Sequence, residues 1–442
     1  MWGIFLGLAL LMFLAYRGMS IIWVAPIAAL VVAFTGGLEL IPAYTDAYMT
    51  GFVGFTKAWF PVFMLGAIFG KIMDETGAAK AVAHFIVSLI GKKLAITAVV
   101  LACAVLTYGG ISLFVVVFAI YPIALALFRD ANITRRLIPG AIALGSFTFT
   151  MTAVPGSPQT QNLIPIQYFG TTPSAAPLMG IAAALVMLLG GMAWLTYREK
   201  FYAKKGVFFV ELDKKVVENA DEKLPHWALS LLPLFVVVLT LNVANIIGKE
   251  TFTELLGRAP FSIIESLVFG IVLAVLLFWK RMPNIVTTIN AGAAGSVLAI
   301  INTSAAVGFG AVVRAVPGFT ALKDFVLGIE GNPLIAESVA VNILAGATGS
   351  ASGGMGIALE ALGANFVALS ESSGIPLEAF HRVASISSGG LDTLPHNGAV
   401  LTLLAVTAMT HKDSYIDIFM VATLIPIASV IVAIIMASFG IY

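Results

Sequence analysis

The amino-acid pattern predicts an all-α polytopic membrane protein made of two inverted-topology repeats, each with five spans, one of them discontinuous, and one re-entrant hairpin. Three observations carry this. Hydrophobic residues make up 60% of the 442 residues and charged residues 11%, with mean hydropathy +1.01, which leaves too little polar surface to cover a water-soluble domain. Apolar runs near the length that crosses a bilayer as helix recur along the chain. Twice, about 240 residues apart, an apolar run stops at a glycine pair (Gly109 and Gly110; Gly353 and Gly354) and the next run dissolves into a polar, Gly/Pro-rich stretch. These stretches are Gly145 to Asn162 and Ser387 to Gly398.

In the first half, Trp2 to Tyr16, Ile21 to Leu38 and Ala58 to Met73 read as plain spans. The first has no basic residue ahead of it and no small-residue cleavage site behind it, so it reads as a retained span and not a signal peptide. Gly77 and Gly91 bracket an amphipathic segment expected along the membrane surface. Leu94 to Leu127 is two apolar limbs meeting at a Gly-rich tip, the first hairpin. Leu137 to Tyr168 is long enough to cross but unwound midway, and Pro177 to Tyr197 ends the first repeat, residues 1–197. Arg198 to Pro225 is the only extended charged segment and reads as a cytoplasmic linker, residues 198–225.

The second repeat, residues 226–442, runs in the same order. Plain spans cover Trp227 to Ile247, Phe261 to Trp279 and Ile285 to Val313, and Gly318 and Gly331 bracket a surface segment. The second hairpin is Pro333 to Ser370, the discontinuous span Leu377 to Thr410 and the last span Tyr415 to Ile441. Basic residues of the short loops, gathered on one side, place the N-terminus outside and the linker in the cytoplasm. Five crossings per repeat is an odd number, which inverts the second repeat.

Several functions are excluded. A net charge of +1 and no basic stripe argue against nucleic acid. The lone Cys103 provides neither a disulfide nor a thiolate cluster. His84, His226, His381, His396 and His411 are scattered without metal-ligand spacing, and no phosphate-binding glycine loop or nucleophile elbow is present. The expectation is no enzyme, no cofactor and no metal centre.

An unpaired peptide group is costly in hydrocarbon, so unwound backbone is tolerated there only where it lines a protected cavity. The breaks are therefore expected to form the substrate site. In the first, Thr148, Thr150, Thr152, Ser157, Gln159, Thr160, Gln161 and Asn162 surround Pro155, Gly156 and Pro158 with neutral donors and acceptors and no charge. Such groups suit hydroxyl and carboxylate oxygens, and half-helix N-termini would support an anion without any arginine. The candidates for substrate binding are Thr150, Thr152, Ser157, Gln159, Gln161 and Asn162, the first tip (Gly109, Gly110 and Ser112), the second tip (Ser352, Gly353 and Gly354), and Thr393 and Asn397 in the second break. The alternative reading is that these groups only satisfy broken helices and close packing. For proton coupling the leading candidates are Asp392 and His396, an acid and a histidine close together at membrane depth, followed by Glu360 beyond the second tip. Arg314 is expected to snorkel to the outer surface.

In three segments the chain resembles the gluconate permease family, proton symporters of small hydroxy-acid anions within the ion transporter superfamily. They are Tyr108 to Ser112 (YGGIS), Gly145 to Asn162 (GSFTFTMTAVPGSPQTQN) and Ser388 to Val400 (SGGLDTLPHNGAV). The likeness spans nearly the whole chain, and Leu391 to Asn397 is similar to the 3-hydroxybutyrate-permease-like branch. The resemblance implies a scaffold and a transport domain each built from both repeats, the transport part about residues 77–168 and 318–410. It also implies a homodimer and elevator-type movement in the bacterial cytoplasmic (inner) membrane. The expected function is symport of a small hydroxy-carboxylate, such as 3-hydroxybutyrate or gluconate, with H⁺. Two alternatives stay open. One is a sodium-coupled di- or tricarboxylate carrier, since hydroxyls and carbonyls at hairpin tips also suit Na⁺. The other is an anion channel or a non-transporting membrane scaffold, against which stand polar breaks that are local and flanked by apolar spans.

Overall fold

The computed structural model describes residues 2–17, 19–211, 223–257, 259–282, 284–329, 331–395 and 397–442, and every regular element among them is helical. The first half comprises α1 (Trp2–Tyr16), α2 (Ile21–Thr35) and α3 (Leu40–Pro42), which passes through a π-helical stretch into α4 (Met49–Glu75). It continues with α5 (Ala78–Ile90), α6 (Ala95–Tyr108), α7 (Leu113–Asp130), α8 (Ile138–Ser146), α9 (Phe149–Thr152), α10 (Thr160–Phe169) and α11 (Pro177–Lys204). The second half comprises α12 (Trp227–Ile247), α13 (Lys249–Leu256), α14 (Ile263–Phe278), α15 (Ile285–Ala315), α16 (Gly318–Leu327), α17 (Pro333–Thr348) and α18 (Ala351–Ser373). It ends with α19 (Leu377–Ser388), α20 (Gly398–Val406), α21 (His411–Phe419) and, after a second π-helical stretch, α22 (Ile425–Ser438).

Eight helical segments among the described residues are long and apolar enough to cross a bilayer, which makes this a multi-pass membrane protein. Six of them, Leu40–Glu75, Pro177–Lys204, Trp227–Ile247, Ile263–Arg281, Ile285–Ala315 and His411–Ser438, overlap spans read from the sequence. The other two are α7 and α18, the second limbs of the expected hairpins. Two expected spans are short instead: α1 and α2 have 15 residues each, so each is about 22 Å long. α2 packs on α15 and α1 on α2, in a separate apolar cluster that includes Ile4, Leu11, Val24, Val32 and Phe309.

Small residues set how closely the central helices approach. A Cβ added to Gly292 would lie 2.6 Å from Ile68 Cα, and one on Gly51 would lie 2.7 Å from Ala311 Cβ, so α15 and α4 pack nearly backbone to backbone. At the start of the amphipathic segment Gly77 takes φ +71°, and α5 meets the helix that follows it at 103°. The bend lays α5 across the hairpin limb instead of in line with it.

The hairpins reverse differently. In the first, Gly110 has φ +95° and the turn falls at the glycine pair, as expected. In the second, the chain reverses at Gly349, φ +58°, and the Ser350 hydroxyl caps α18 by accepting from Gly353 N at 3.1 Å. Gly353 and Gly354 therefore lie inside the first turn of α18 and not at the tip. Their service is close approach: a Cβ on Gly354 would sit 2.1 Å from Ala345 Cα across the hairpin.

The charged linker is also shorter than its composition suggests. α11 runs on to Lys204, so the segment from Arg198 begins as helix. Arg198 Nε donates to Asp417 Oδ1 of α21 at 2.7 Å, with Trp194 Nε1 on the same oxygen at 2.9 Å. Asp417 is fully buried, and this ion pair ties α11 to the C-terminal span.

Candidate functional site

The first break begins where α8 ends, passes through the single turn of α9 and resumes as α10. Three of its hydroxyls are spent on the helix that unwinds there. Thr148 Oγ1 donates to Leu144 O (2.6 Å), Thr150 Oγ1 to Gly145 O (2.8 Å) and Thr152 Oγ1 to Thr148 O (3.1 Å). For Thr150 and Thr152 the structure thus favours the helix-satisfying role over direct substrate binding. The break is bolted to the first tip: Gln159 Nε2 donates to Thr107 O at 2.6 Å, Tyr108 Oη donates to Pro155 O at 3.0 Å, and Gly110 lies against Pro158. Gln161 Oε1 accepts from Thr160, and Ser112 and Ser352 stand at the starts of α7 and α18, partly exposed.

The two breaks meet. Thr152 O accepts from Ser385 Oγ at 2.7 Å, and a Cβ on Gly389 would lie 2.9 Å from Thr152 Cγ2. They also share a plan. Asn162 Nδ2 donates to Ser157 O and Pro173 O (2.9 and 2.8 Å); Asn397 Nδ2 donates to Asp392 O and Gly349 O (both 2.9 Å). In each half an asparagine near the start of the resumed helix reaches five residues back and clamps a neighbouring turn. Thr393 is held by Ala422 O and Thr423 Oγ1, both at 2.8 Å. Asp392 is buried and, among the described residues, its Oδ1 has no partner, nor has Asn342 Oδ1 of α17, which lies against Gly390. His396 lies outside the described residues.

The largest departure from the sequence reading is a charge. The first break was expected to act without arginine, yet Arg382 of α19 reaches into it from the other half of the chain. Its side chain is 0% exposed. Nε and Nη2 donate to Ala175 O (3.0 and 2.7 Å), Nη1 to Ala153 O and Asn162 Oδ1 (3.2 and 2.8 Å) and Nη2 to Pro173 O (3.3 Å). Among the described residues no carboxylate pairs with it. Its neighbour His381 bonds Thr171 Oγ1 through Nδ1 at 2.6 Å. The signal that could have found Arg382 is its presence in the discontinuous span, where an ionisable group is expensive.

Glu360 has partners. Arg314 Nη2 lies 2.8 Å from Glu360 Oε1, Arg314 Nη1 donates to Glu360 O at 2.9 Å, and Tyr168 Oη donates to Glu360 Oε2 at 3.3 Å. Arg314 thus ties α15 to α18 as well as meeting solvent, and the Glu360 carboxylate is occupied.

Beside the first break is a cleft of about 390 Å³. Tyr108, Gly156, Ser174 and Asn242 contribute its polar side, while Val238 and Leu239 of α12 belong to its apolar one. Asn242 bridges them, donating to Gly156 O and accepting from Ser174 Oγ, both at 2.9 Å. Ala153, Pro173 and Ala175, which hold Arg382, neighbour this wall in the chain, so the guanidinium stands one layer of peptide behind the cleft.

Known proteins are similar to the chain over nearly its whole length. Residues 1–439 match the family model described as GntP family permease. The chain is 45% identical over 455 aligned residues to the Bacillus subtilis (strain 168) transporter YxjC, covering 97% of this chain and 96% of that protein. A Haemophilus influenzae permease is 26% identical over 291 residues, 62% of this chain and 57% of that one. These relatives are transporters and permeases, a class that moves solutes without covalent chemistry. With its matched breaks and membrane spans, the chain belongs to the GntP permease family, and it is a membrane transporter and not an enzyme.

Proposed function

We propose that this protein is a secondary carrier of the bacterial inner membrane that imports a small hydroxy-monocarboxylate, of the 3-hydroxybutyrate or gluconate type, together with protons. The observation that carries the reading is Arg382: a guanidinium fully buried between the two breaks, with its N–H groups on neutral oxygens and, among the described residues, no carboxylate against it. A buried charge of this kind is costly unless a counter-charge arrives. An organic anion in the cleft beside Gly156 and Asn242 supplies that counter-charge, with polar partners in the Tyr108 and Ser174 hydroxyls and the Asn242 carboxamide.

The recurring element order and the twin asparagine clamps support two inverted repeats, with the N-terminus outside, crossing in opposite senses. The hairpins and broken helices, about residues 77–168 and 318–410, move as the transport part against a scaffold centred on the closely packed α4 and α15, and two copies assemble through the scaffold. Asp392, in the break opposite Arg382, takes a coupling proton. A ligand shifts a conformational equilibrium only by its differential affinity for the two states, so anion and proton together favour the exchange that either alone does not.

A sodium-coupled reading is favoured by one feature, the oxygens of Asn342 and Asp392 near the second break that have no partner among the described residues. Proteoliposomes separate the two. Uptake of radiolabelled gluconate or 3-hydroxybutyrate driven by an inward pH gradient in sodium-free buffer is the expected result; uptake that needs sodium and ignores the pH gradient overturns proton coupling.

A further inference from the structure

Glu337, on α17, has a 0% exposed side chain, and among the described residues neither carboxylate oxygen has a hydrogen-bond partner. Among the described residues no cation is drawn to it. The elements packed on α17 are α1, α16, α18, α19 and α22. The acidic and basic residues of these elements are Glu360 and Glu371 on α18, Glu378, His381 and Arg382 on α19, and Lys323 and Asp324 on α16. Glu360 is taken by Arg314 and Tyr168, Arg382 by the first break, His381 by Thr171 and Asn162, while Asp324, Glu371 and Glu378 are exposed. An ionised carboxylate in such a place has nothing to offset its lost hydration, so the site is habitable in this state only with the proton on.

The two chain neighbours of Glu337 border different features. Ala336, the preceding residue, lines a surface cleft of about 220 Å³ with Ile329, Gly331, Pro333 and Leu369 at the base of the second hairpin. Ser338, the following residue, accepts from Ser387 Oγ at 3.0 Å, and Asn342 Nδ2 donates to Ser338 O at 3.0 Å. That chain leads from α17 to the break that holds Asp392. We propose that Glu337 is a proton-binding residue of the transport cycle, taking its proton by way of the Ala336 cleft and passing it toward the second break. This rests on the carrier reading above and adds a site to it.

The test uses full-length protein in phosphatidylethanolamine–phosphatidylglycerol vesicles, with radiolabelled gluconate and 3-hydroxybutyrate as probes. Glu337→Gln is expected to exchange anion across the membrane without a gradient at a rate within about threefold of wild type, yet to lose accumulation driven by an inward pH gradient. Gradient-driven accumulation equal to wild type in Glu337→Gln overturns the proposal while leaving the carrier reading intact. A wild type that carries neither anion under a pH gradient overturns both. Should Glu337→Gln not fold, wild-type protein is treated with dicyclohexylcarbodiimide, which attacks protonated carboxyl groups in apolar surroundings. Labelling at Glu337 that parallels loss of uptake supports the proposal, and an unlabelled Glu337 in inhibited protein overturns it.

Discussion

Replacing Arg382 separates its charge from its hydrogen bonds. The side chain serves four acceptors: Ala153 O, Pro173 O, Ala175 O and Asn162 Oδ1. Glutamine brings two N–H donors, so at least two acceptors are orphaned, at about 1–3 kcal/mol each. Lysine brings three donors and keeps the charge, so at least one acceptor is orphaned. Both variants are therefore expected to melt below wild type, glutamine further than lysine. Binding divides them by charge alone. For an anion in the cleft held about 8 Å from the guanidinium, the attraction at an effective dielectric of about 20 would be about 2 kcal/mol. That converts to a Kd weakened about 30-fold in Arg382→Gln, against a change under about fivefold in Arg382→Lys. The assay is calorimetric titration of detergent-purified protein with gluconate and 3-hydroxybutyrate, at one ionic strength and well below both melting temperatures. A monodisperse Arg382→Gln that binds within about twofold of wild type would refute the electrostatic argument and leave Arg382 as a staple for carbonyls.

Two further predictions concern the frame. Arg198→Ala leaves the buried Asp417 with Trp194 alone, and stability should fall by about 3–5 kcal/mol, with Asp417→Asn in the same chain recovering much of it in thermal-melt measurements. Gly354→Ala forces a methyl group into the Ala345 backbone and should cost about 1–3 kcal/mol or more, whereas Gly54→Ala, with nothing within 4 Å of the added carbon, should be neutral or slightly stabilising in the same melts.

Much of the fold was legible in the sequence because its causes are local. Apolar length marks a membrane helix wherever it occurs, and Gly/Pro-rich interruptions mark where that helix must unwind. The first tip fell at its glycine pair because Gly110 alone there tolerates the left-handed backbone the turn requires. The second misled for the same reason. One glycine, Gly349, suffices to turn the chain, and the conspicuous pair after it serves helix packing, which no local pattern distinguishes from turning. The threonines of the first break read two ways in the sequence, since a hydroxyl that bonds its own helix looks there like one held out to a ligand.

What the sequence determined by itself is a membrane protein of helices interrupted twice in the same way, because burial in lipid and backbone satisfaction act residue by residue. What only the tertiary structure decided is which charges meet. Arg382 enters the first break from 220 residues beyond Asn162, Asp417 closes on Arg198, and Arg314 takes Glu360, while Glu337 is left with no partner among the described residues. Each of these follows from the packing of distant helices in a medium where an unpaired charge is costly, and that geometry has no counterpart in spacing along the chain.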